Sequence, residues 1–436
     1  MPTHSWGRIK GQEKDSKILH WRKDAFALSQ WTGPVLAYGL GRSYGDSCLI
    51  NGGTLIQTSQ LNKFRHFDPE TGRLSCEAGL SIEDLLKFSV PRGWFIPVSP
   101  GTKYVTMGGA IANDVHGKNH HRRGTIGCHI IDLELMRSNG EHLQCSLQQE
   151  EALFRATIGG LGLTGLILSC TIQLIPIESP YIDAEMIKTT GLGEFFEIDR
   201  TSDQDYEYTV SWIDCMAKGD QRGRGVFIRG NHAKGGDLRS YSKQKSPLIT
   251  MPIDAPEFTL NRFTIKAFNE AYYHKQFSKL KMVRQGFDPF FYPLDAVGNW
   301  NRIYGKKGLL QYQCTVPTNK VEDLKQLFDR IERSGQGSFL AVLKRFGNIA
   351  SPGMMSYPSE GYTLALDFRN QGRKSIELFH ELDKIVIRAG GKLYPAKDAL
   401  MSALTFQTAY PQWKEFERYI DPKFQSMFWE RVSTRG

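Results

Sequence analysis

Between residues 34 and 176 short apolar runs alternate with glycine-rich turns. "VLAYG" (35–39), "TLIQT" (54–58) and "RLSCEAG" (73–79) are the length of strands and are bounded by turn formers. The period then changes. In "SIEDLLKFSVPRG" (81–93) the leucines share one helical face, Ser81 stands as N-cap with Asp84 three residues on, and Pro91 and Gly93 form the stop. "GTIGCHIIDLELMRSNGEHL" (124–143) predicts two strands joined at Asn139-Gly140, a strong short hairpin signal. "EEALFRATIGG" (150–160) predicts a short helix, and "TGLILSCTIQLIPI" (164–177) a long strand.

Past Pro176 the chain becomes richer in aromatic and basic residues. "GLLQYQCTVP" (308–317), "FLAVLKRFG" (339–347) and "YTLALDF" (362–368) predict strands, interleaved with helices over 320–335 and 375–391. Strands with helices on one side point to an antiparallel α+β unit. The polar, glycine-rich stretch 216–256 predicts a loop, part of it mobile, and the tail 392–424 predicts helix with a proline stop. The expected organisation is two domains, 1–176 and 177–390, with 391–436 as a C-terminal segment.

Composition narrows the function classes. At 436 residues the chain exceeds what one core usually supports, and 40% hydrophobic with 23% charged residues is ordinary for a water-soluble protein. No apolar run reaches the 18 or so residues of a spanning helix, and the N-terminus has no secretory h-region. Seven scattered cysteines without a C-x-x-C pair are expected to be reduced, which favours the cytoplasm. A net charge of +9 suggests anionic company. Nucleic acid is the weakest candidate, because the charge is diffuse and no reading motif accompanies it, whereas an acidic membrane face or a phosphorylated ligand fits.

Three glycine-rich stretches carry the candidate chemistry. "GLGRSYGD" (39–46) is either a turn whose backbone N–H groups cradle a phosphate or a glycine-rich hairpin. "SPGTKYVTMGGAIANDVHGKNHHRRGTIG" (99–127) has close-packed small residues on which a flat ligand could lie, then a histidine-rich loop. His116, His120, His121 and His129 suggest a metal, but Lys118 among them would repel a cation and no H-E-x-x-H helix is present, so no metal is expected. Gly160-x-Gly162-x-x-Gly165 has dinucleotide spacing in the wrong context: a helix precedes it and a strand follows, the reverse of a Rossmann turn.

In this order and spacing the three stretches resemble the FAD-binding domain of the vanillyl-alcohol oxidase type, the PCMH-type flavoproteins. With "PLDAVGNWNRIYG" (293–305), "LLQYQ" (309–313), "KRFG" (344–347), "GGKLYPAKD" (390–398) and "YPQWKEFERYIDP" (410–422), nearly the whole chain resembles the decaprenylphosphoryl-β-D-ribose oxidase family. That resemblance implies an α+β fold with an FAD-binding domain over 1–176, an antiparallel-sheet substrate domain over 177–390 and a C-terminal segment returning to the FAD domain. It implies FAD held by Gly39, Gly41, Arg42, Ser43, Tyr44, Gly45 and Asp46, by Pro100, Gly101, Thr102, Thr106, Gly108, Gly109, Ala112, His116 and Asn119, and by Gly165, Ile167 and Tyr394. The flavin would be non-covalent, since Tyr44 takes the place where sugar-alcohol oxidases of the superfamily carry a flavin-linked histidine.

The implied reaction oxidises the 2′-hydroxyl of a polyprenyl-phosphoryl-β-D-ribose to the 2′-keto sugar. A separate NAD(P)H-dependent short-chain reductase would complete the epimerisation to the arabinose lipid used in cell-envelope glycan synthesis. Lys397, Tyr394, His116 and Lys118 carry over as catalytic groups, and Gln311, Gln313, Lys344, Thr363 and again Lys118 as substrate contacts. Lys397 is either the group that acts at the reacting sugar or a partner of Asp398. Ala365 and Thr363 depart from the family, whose mycobacterial members place cysteine and asparagine there. The implied location is cytoplasmic, peripheral at the inner membrane face. Two other readings are an FAD oxidase of a free sugar, alditol or aldonolactone, and a non-catalytic subunit binding a lipid phosphate.

Overall fold

The computed structural model describes residues 3–239 and 247–433. The first apolar runs form a small parallel sheet in which Thr54–Gln57 lies between Asp15–Ile18 and Val35–Tyr38. The next form a five-stranded antiparallel sheet, in the order 64–68, 73–77, 166–173, 130–136, 142–146. Helix Ile82–Ser89 begins where the capping signal places it, with Ser81 Oγ accepting from the Asp84 N–H at 3.0 Å. Its buried residues Ile82, Leu85 and Leu86 join Leu74, Leu133 and Ile172 in one apolar cluster. The Asn139-Gly140 hairpin forms, with Gly140 at φ 93°.

The remaining strands build one eight-stranded antiparallel sheet, in the order 280–286, 181–189, 225–232, 208–213, 341–346, 361–369, 309–316, 392–393. Helices Val321–Ser334 and Arg373–Arg388 cover one face. Leu324, Leu327, Phe328 and Ile331 recur at helical spacing and meet Leu378, Phe379, Leu382 and Val386. Strand alternation decides what the other face presents. Leu310, Tyr312, Cys314, Leu364, Leu366 and Phe368 enter the core under the helices, which turns Gln311, Gln313, Ala365 and Asp367 to the opposite side.

The result is a two-domain α+β fold, but the two units share packing. Leu36, Ile50 and Leu55 around the small parallel sheet lie in the same buried cluster as Leu310, Leu364 and Leu382. The C-terminal segment closes back on the first loops: Val35 N–H donates to Lys423 O at 2.7 Å, and Arg431 bridges Asp46 at 2.8 Å and Asp398 at 3.0 Å. The seven cysteines are free, and five are buried.

Two sequence expectations change. Within 216–256, expected to be a loop, residues Gly225–His232 form an interior strand of the large sheet. Its polar residues have local partners: Arg229 pairs with Glu185 at 2.6 Å, and Asn231 Oδ1 accepts from the Glu207 N–H. Residues 240–246 of that stretch lie outside the described residues. The tail over 392–424 is helical only in pieces, Ala403–Ala409 and Trp413–Phe416: Lys392–Leu393 is a strand, the segment at Pro395 follows it as a loop, and Pro411 separates the two helices.

Candidate active site

A cavity of about 1120 Å³ lies between the loops of the first two sheets and the open face of the eight-stranded sheet. Its floor is the loop that leaves strand Val35–Tyr38. Gly41 sits at φ +61°, a conformation that favours glycine, and the Tyr44 N–H donates to Ala396 O at 3.0 Å. A Cβ on Gly45 would stand 1.4 Å from Asp398 O, so this glycine lets the loop clasp the 394–398 segment. The second wall is the 99–118 loop. Asp295 holds it through Thr102 Oγ1 at 2.7 Å and the Lys103 N–H at 2.9 Å, and Thr106 Oγ1 caps helix Met107–Ala112 by accepting from the Gly109 N–H. Gly162, Gly165 and Ile167 close the far side, with helix Glu151–Thr157 before them and strand Leu166–Gln173 after, which excludes a Rossmann turn there.

His116 sits where the 99–118 loop meets the open face of the large sheet. Its Nδ1 is 3.3 Å from Lys344 Nζ, the Gln313 amide is 2.9 Å from its Nε2, and the Tyr394 ring lies 5.6 Å away, centre to centre. Burial, then the positive charges of Lys344 and Lys397, hold the imidazole well below its ordinary pKa, so it is neutral at pH 7. A neutral ring has one N–H and one lone pair. Lys344 Nζ and the Gln313 amide nitrogen both face it as donors, so the single lone pair serves one of them.

Three lysines converge on the same wall. Burial pushes Lys118 down to about 8, and burial with the charges of Lys118 and Lys397 pushes Lys344 down to about 7. Lys118 Nζ donates to Phe291 O at 3.2 Å. Lys397 Nζ stands 3.8 Å over the centre of the Tyr44 ring, lowered to about 8 by burial against the opposing pull of Asp367. Asp367, raised by its own burial, accepts from the Gln311 side-chain amide. Asp398 is not the partner of Lys397, since its carboxylate takes Arg431 and the N–H groups of Leu400 and Met401.

Most of the residues expected from sequence line this one cavity. They are Gly39, Gly41, Arg42, Ser43 and Tyr44, then Pro100, Gly101, Thr102, Thr106, Gly108, Gly109, Ala112, His116 and Lys118, then Gly165, Ile167, Gln311, Gln313, Lys344, Tyr394 and Lys397. Four expected contacts do not line it. Gly45 packs behind the loop, and Asp46 is turned to Arg431. Asn119 Nδ2 donates to Pro97 O at 2.8 Å and Glu207 Oε1 at 3.1 Å, fixing the loop beyond His116. Thr363 lies beneath Gln313, whose amide is 3.3 Å from its Oγ1, with Tyr357 OH 2.9 Å away on the other side.

The histidines do not gather. His120 packs on Phe346, His121 is 3.0 Å from Tyr206 O and His129 is 2.9 Å from Arg123 O; no metal-holding group of three ligands occurs among the described residues. Sequence reasoning missed Asn113, Asp114 and Asp367. Asp114 accepts from the Gly127 N–H at 3.0 Å and Ser356 Oγ at 2.6 Å, holding the turn that delivers His116. Two polar residues directly after the apolar helix 107–112 were the available signal for the first pair. The same-face spacing from Ala365 was the signal for Asp367.

The wall fits a large, flat, anionic ligand. Small residues Gly101, Gly108, Gly109 and Ala112 line one side beside the Arg42 guanidinium, and the buried Asn113 Oδ1 in the same wall has no partner among the described residues. Residues 24–146 match the model of the FAD binding domain family. The fold and this wall define an FAD-dependent oxidoreductase. Across 401 residues the chain is 40% identical to the decaprenylphosphoryl-β-D-ribose oxidase of Mycolicibacterium smegmatis, covering 89% of this chain and 86% of that one. The chain belongs to the decaprenylphosphoryl-β-D-ribose oxidase family. It is also 28% identical to mouse L-gulonolactone oxidase over 155 residues, 35% of each chain. With a putative D-arabinono-1,4-lactone oxidase of Neurospora crassa it shares 30% identity over 145 residues, 33% of this chain and 26% of that one.

Proposed function

We propose that the chain oxidises the 2′-hydroxyl of a polyprenyl-phosphoryl-β-D-ribose to the 2′-keto sugar, with FAD held non-covalently. The observation that carries this reading is the convergence of Lys118, Lys344 and Lys397 on one wall of a cavity whose next wall is apolar. These amines repel one another when protonated, and a phosphodiester relieves that repulsion. A free sugar or lactone would leave them uncompensated. Likeness to the lactone oxidases is confined to about a third of the chain, against 89% for the decaprenylphosphoryl-ribose oxidase.

FAD held along the Gly39–Tyr44 loop and beside Gly108, Gly109 and Ala112 would supply the two-electron acceptor for the C2′ hydride as the hydroxyl becomes a carbonyl. The chain's own part is proton handling and positioning. Lys397 is the base for the hydroxyl proton: its pKa, lowered to about 8, makes the neutral amine far more abundant near neutrality than in an unburied lysine, and Asp367 stabilises the ammonium formed. Lys344 and Lys118 hold the phosphate. His116, engaged at both ring nitrogens, positions the Lys344 and Gln313 side chains, while Gln311 and Gln313 take ribose hydroxyls from the sheet.

Two cavity groups that could bond to a flavin are poor nucleophiles here. His116 is held at both ring nitrogens, and burial pushes the Cys48 thiol up to about 12. Acid precipitation of the holoprotein is therefore expected to leave the yellow colour in the supernatant; colour in the pellet would contradict a non-covalent flavin.

The glycine turns do not suit a nicotinamide, so a separate NAD(P)H-dependent short-chain reductase finishes the epimerisation. Purified chain with lipid-linked ribose and an artificial acceptor should give the ketone and no arabinose, with or without NADH. Arabinose formed by this chain alone would remove the need for a partner. With a net charge of +9 and no helix among the described residues long and apolar enough to cross a membrane, contact with its lipid substrate is peripheral, at an acidic inner face. Each basic residue near such a surface contributes about 1 kcal/mol, screened by salt.

A further inference from the structure

Beyond the three lysines the cavity continues as an apolar trough across the sheet. Val210, Ile228 and Met186 are successive cross-strand partners on three neighbouring strands, and all three line it. At the usual strand spacing that row is about 10 Å long, running from the strand beside Lys344 toward the edge strand Leu280–Gly286. Its roof is aromatic. Tyr272 lies 4.5 Å from Trp212, and Phe268 lies 5.4 Å from Phe339, centre to centre.

The roof belongs to helix Arg262–His274, held to the sheet by buried Ile265, Asn269 and Tyr273. Asn269 Nδ2 donates to Asp214 Oδ1 at 2.9 Å. Outside the trough, Phe263 and Phe277 are 81% and 96% exposed and Phe268 is 44% exposed. Nine of the fifteen exposed large apolar side chains among the described residues fall between Leu248 and Met282. Exposed Lys266, Lys275 and Lys281 are interspersed with them. Phe268, Tyr272 and Lys275 of this span line the cavity, so a segment rich in exposed apolar and basic groups adjoins the trough, a composition that matches the interfacial surface of an anionic lipid leaflet.

We propose that this rim rests in an anionic leaflet and that the trough takes the first isoprene units of the substrate, so the sugar phosphate reaches Lys344 while the rest of its chain stays in the bilayer. This rests on the lipid-linked substrate proposed above. Phe263 and Phe277 insert; Phe268 and Tyr272 cover the chain.

The test uses holoenzyme, vesicles of equimolar phosphatidylcholine and phosphatidylglycerol, and phosphoryl-ribose carrying a short or a long polyprenyl chain. Flavin retention and Tm report that each variant is folded. Phe263→Ser with Phe277→Ser should cut co-sedimentation with vesicles by about tenfold or more, the scale of losing buried phenylalanine. It should cut turnover of the long-chain substrate in vesicles alike, leaving turnover of the short-chain substrate in solution at the wild-type rate. Phe268→Ser should abolish the preference of the wild type for the longer chain in detergent. Wild-type sedimentation of the double variant, or equal kcat/KM for both chain lengths in the wild type, would overturn the proposal. If neither lipid bleaches the flavin while sedimentation still depends on Phe263 and Phe277, the substrate reading and the trough fall and the lipid-facing rim stands.

Discussion

Replacing Lys397 with methionine is expected to slow flavin bleaching by lipid-linked ribose by about 10²-fold or more, the usual scale for losing an acid–base or charge-stabilising group. Methionine keeps much of the apolar stem that lies over the Tyr44 ring and removes only the amine. Bound FAD should therefore remain, because the clasp between the two loops is made by backbone: the Tyr44 N–H to Ala396 O, and Gly45 against Asp398. Stopped-flow bleaching and the yellow colour of the purified variant separate the outcomes. Bleaching at the wild-type rate would remove Lys397 from the chemistry. Loss of colour together with rate would make it a structural residue.

The pH profile carries the second large effect. A base must be neutral to act, so the bleaching rate at saturating substrate should rise with pH through about 8 and then level off, following the lowered Lys397 amine. Phosphate binding needs the opposite form. Lys344, lowered to about 7, loses its charge as pH rises, so the substrate concentration for half-saturation should climb over the same range. Asp367 pulls the Lys397 pKa upward, so Asp367→Asn should move the midpoint of the rate profile toward acid. A rate that falls through pH 8 would mean that the cation, not the amine, acts at the sugar. A midpoint unmoved by Asp367→Asn would break the link between the two residues.

The loops that line the cavity were legible because loop chemistry is local. Gly39 to Tyr44 and, in the second loop, Pro100, Gly101, Gly108, Gly109 and Ala112 face the cavity as glycines and small residues imply, and the strand after Gly165 spoke against a Rossmann turn. Gln311 and Gln313 came from the family resemblance, and strand alternation turns both to the cavity. What failed depended on partners distant in sequence. Asp46 sits in a phosphate-binding pattern, yet it is committed to Arg431, and Asp398 to the same guanidinium rather than to its neighbour Lys397. Asn119 and Thr363 serve the site from behind, through Glu207 and Gln313. The strand Gly225–His232 was hidden by its glycines and charges, which two flanking strands accommodate.

The central claim is that three lysines on one cavity wall and an apolar trough select a sugar carried on a lipid phosphate. Anaerobic mixing of the holoenzyme with polyprenyl-phosphoryl-β-D-ribose, xylitol and L-gulono-1,4-lactone, followed by the bleaching of the flavin, tests it most directly. The account predicts rapid bleaching by the lipid-linked ribose and none by the two free compounds. Bleaching by xylitol or the lactone at a comparable rate, with none by the lipid, would contradict it.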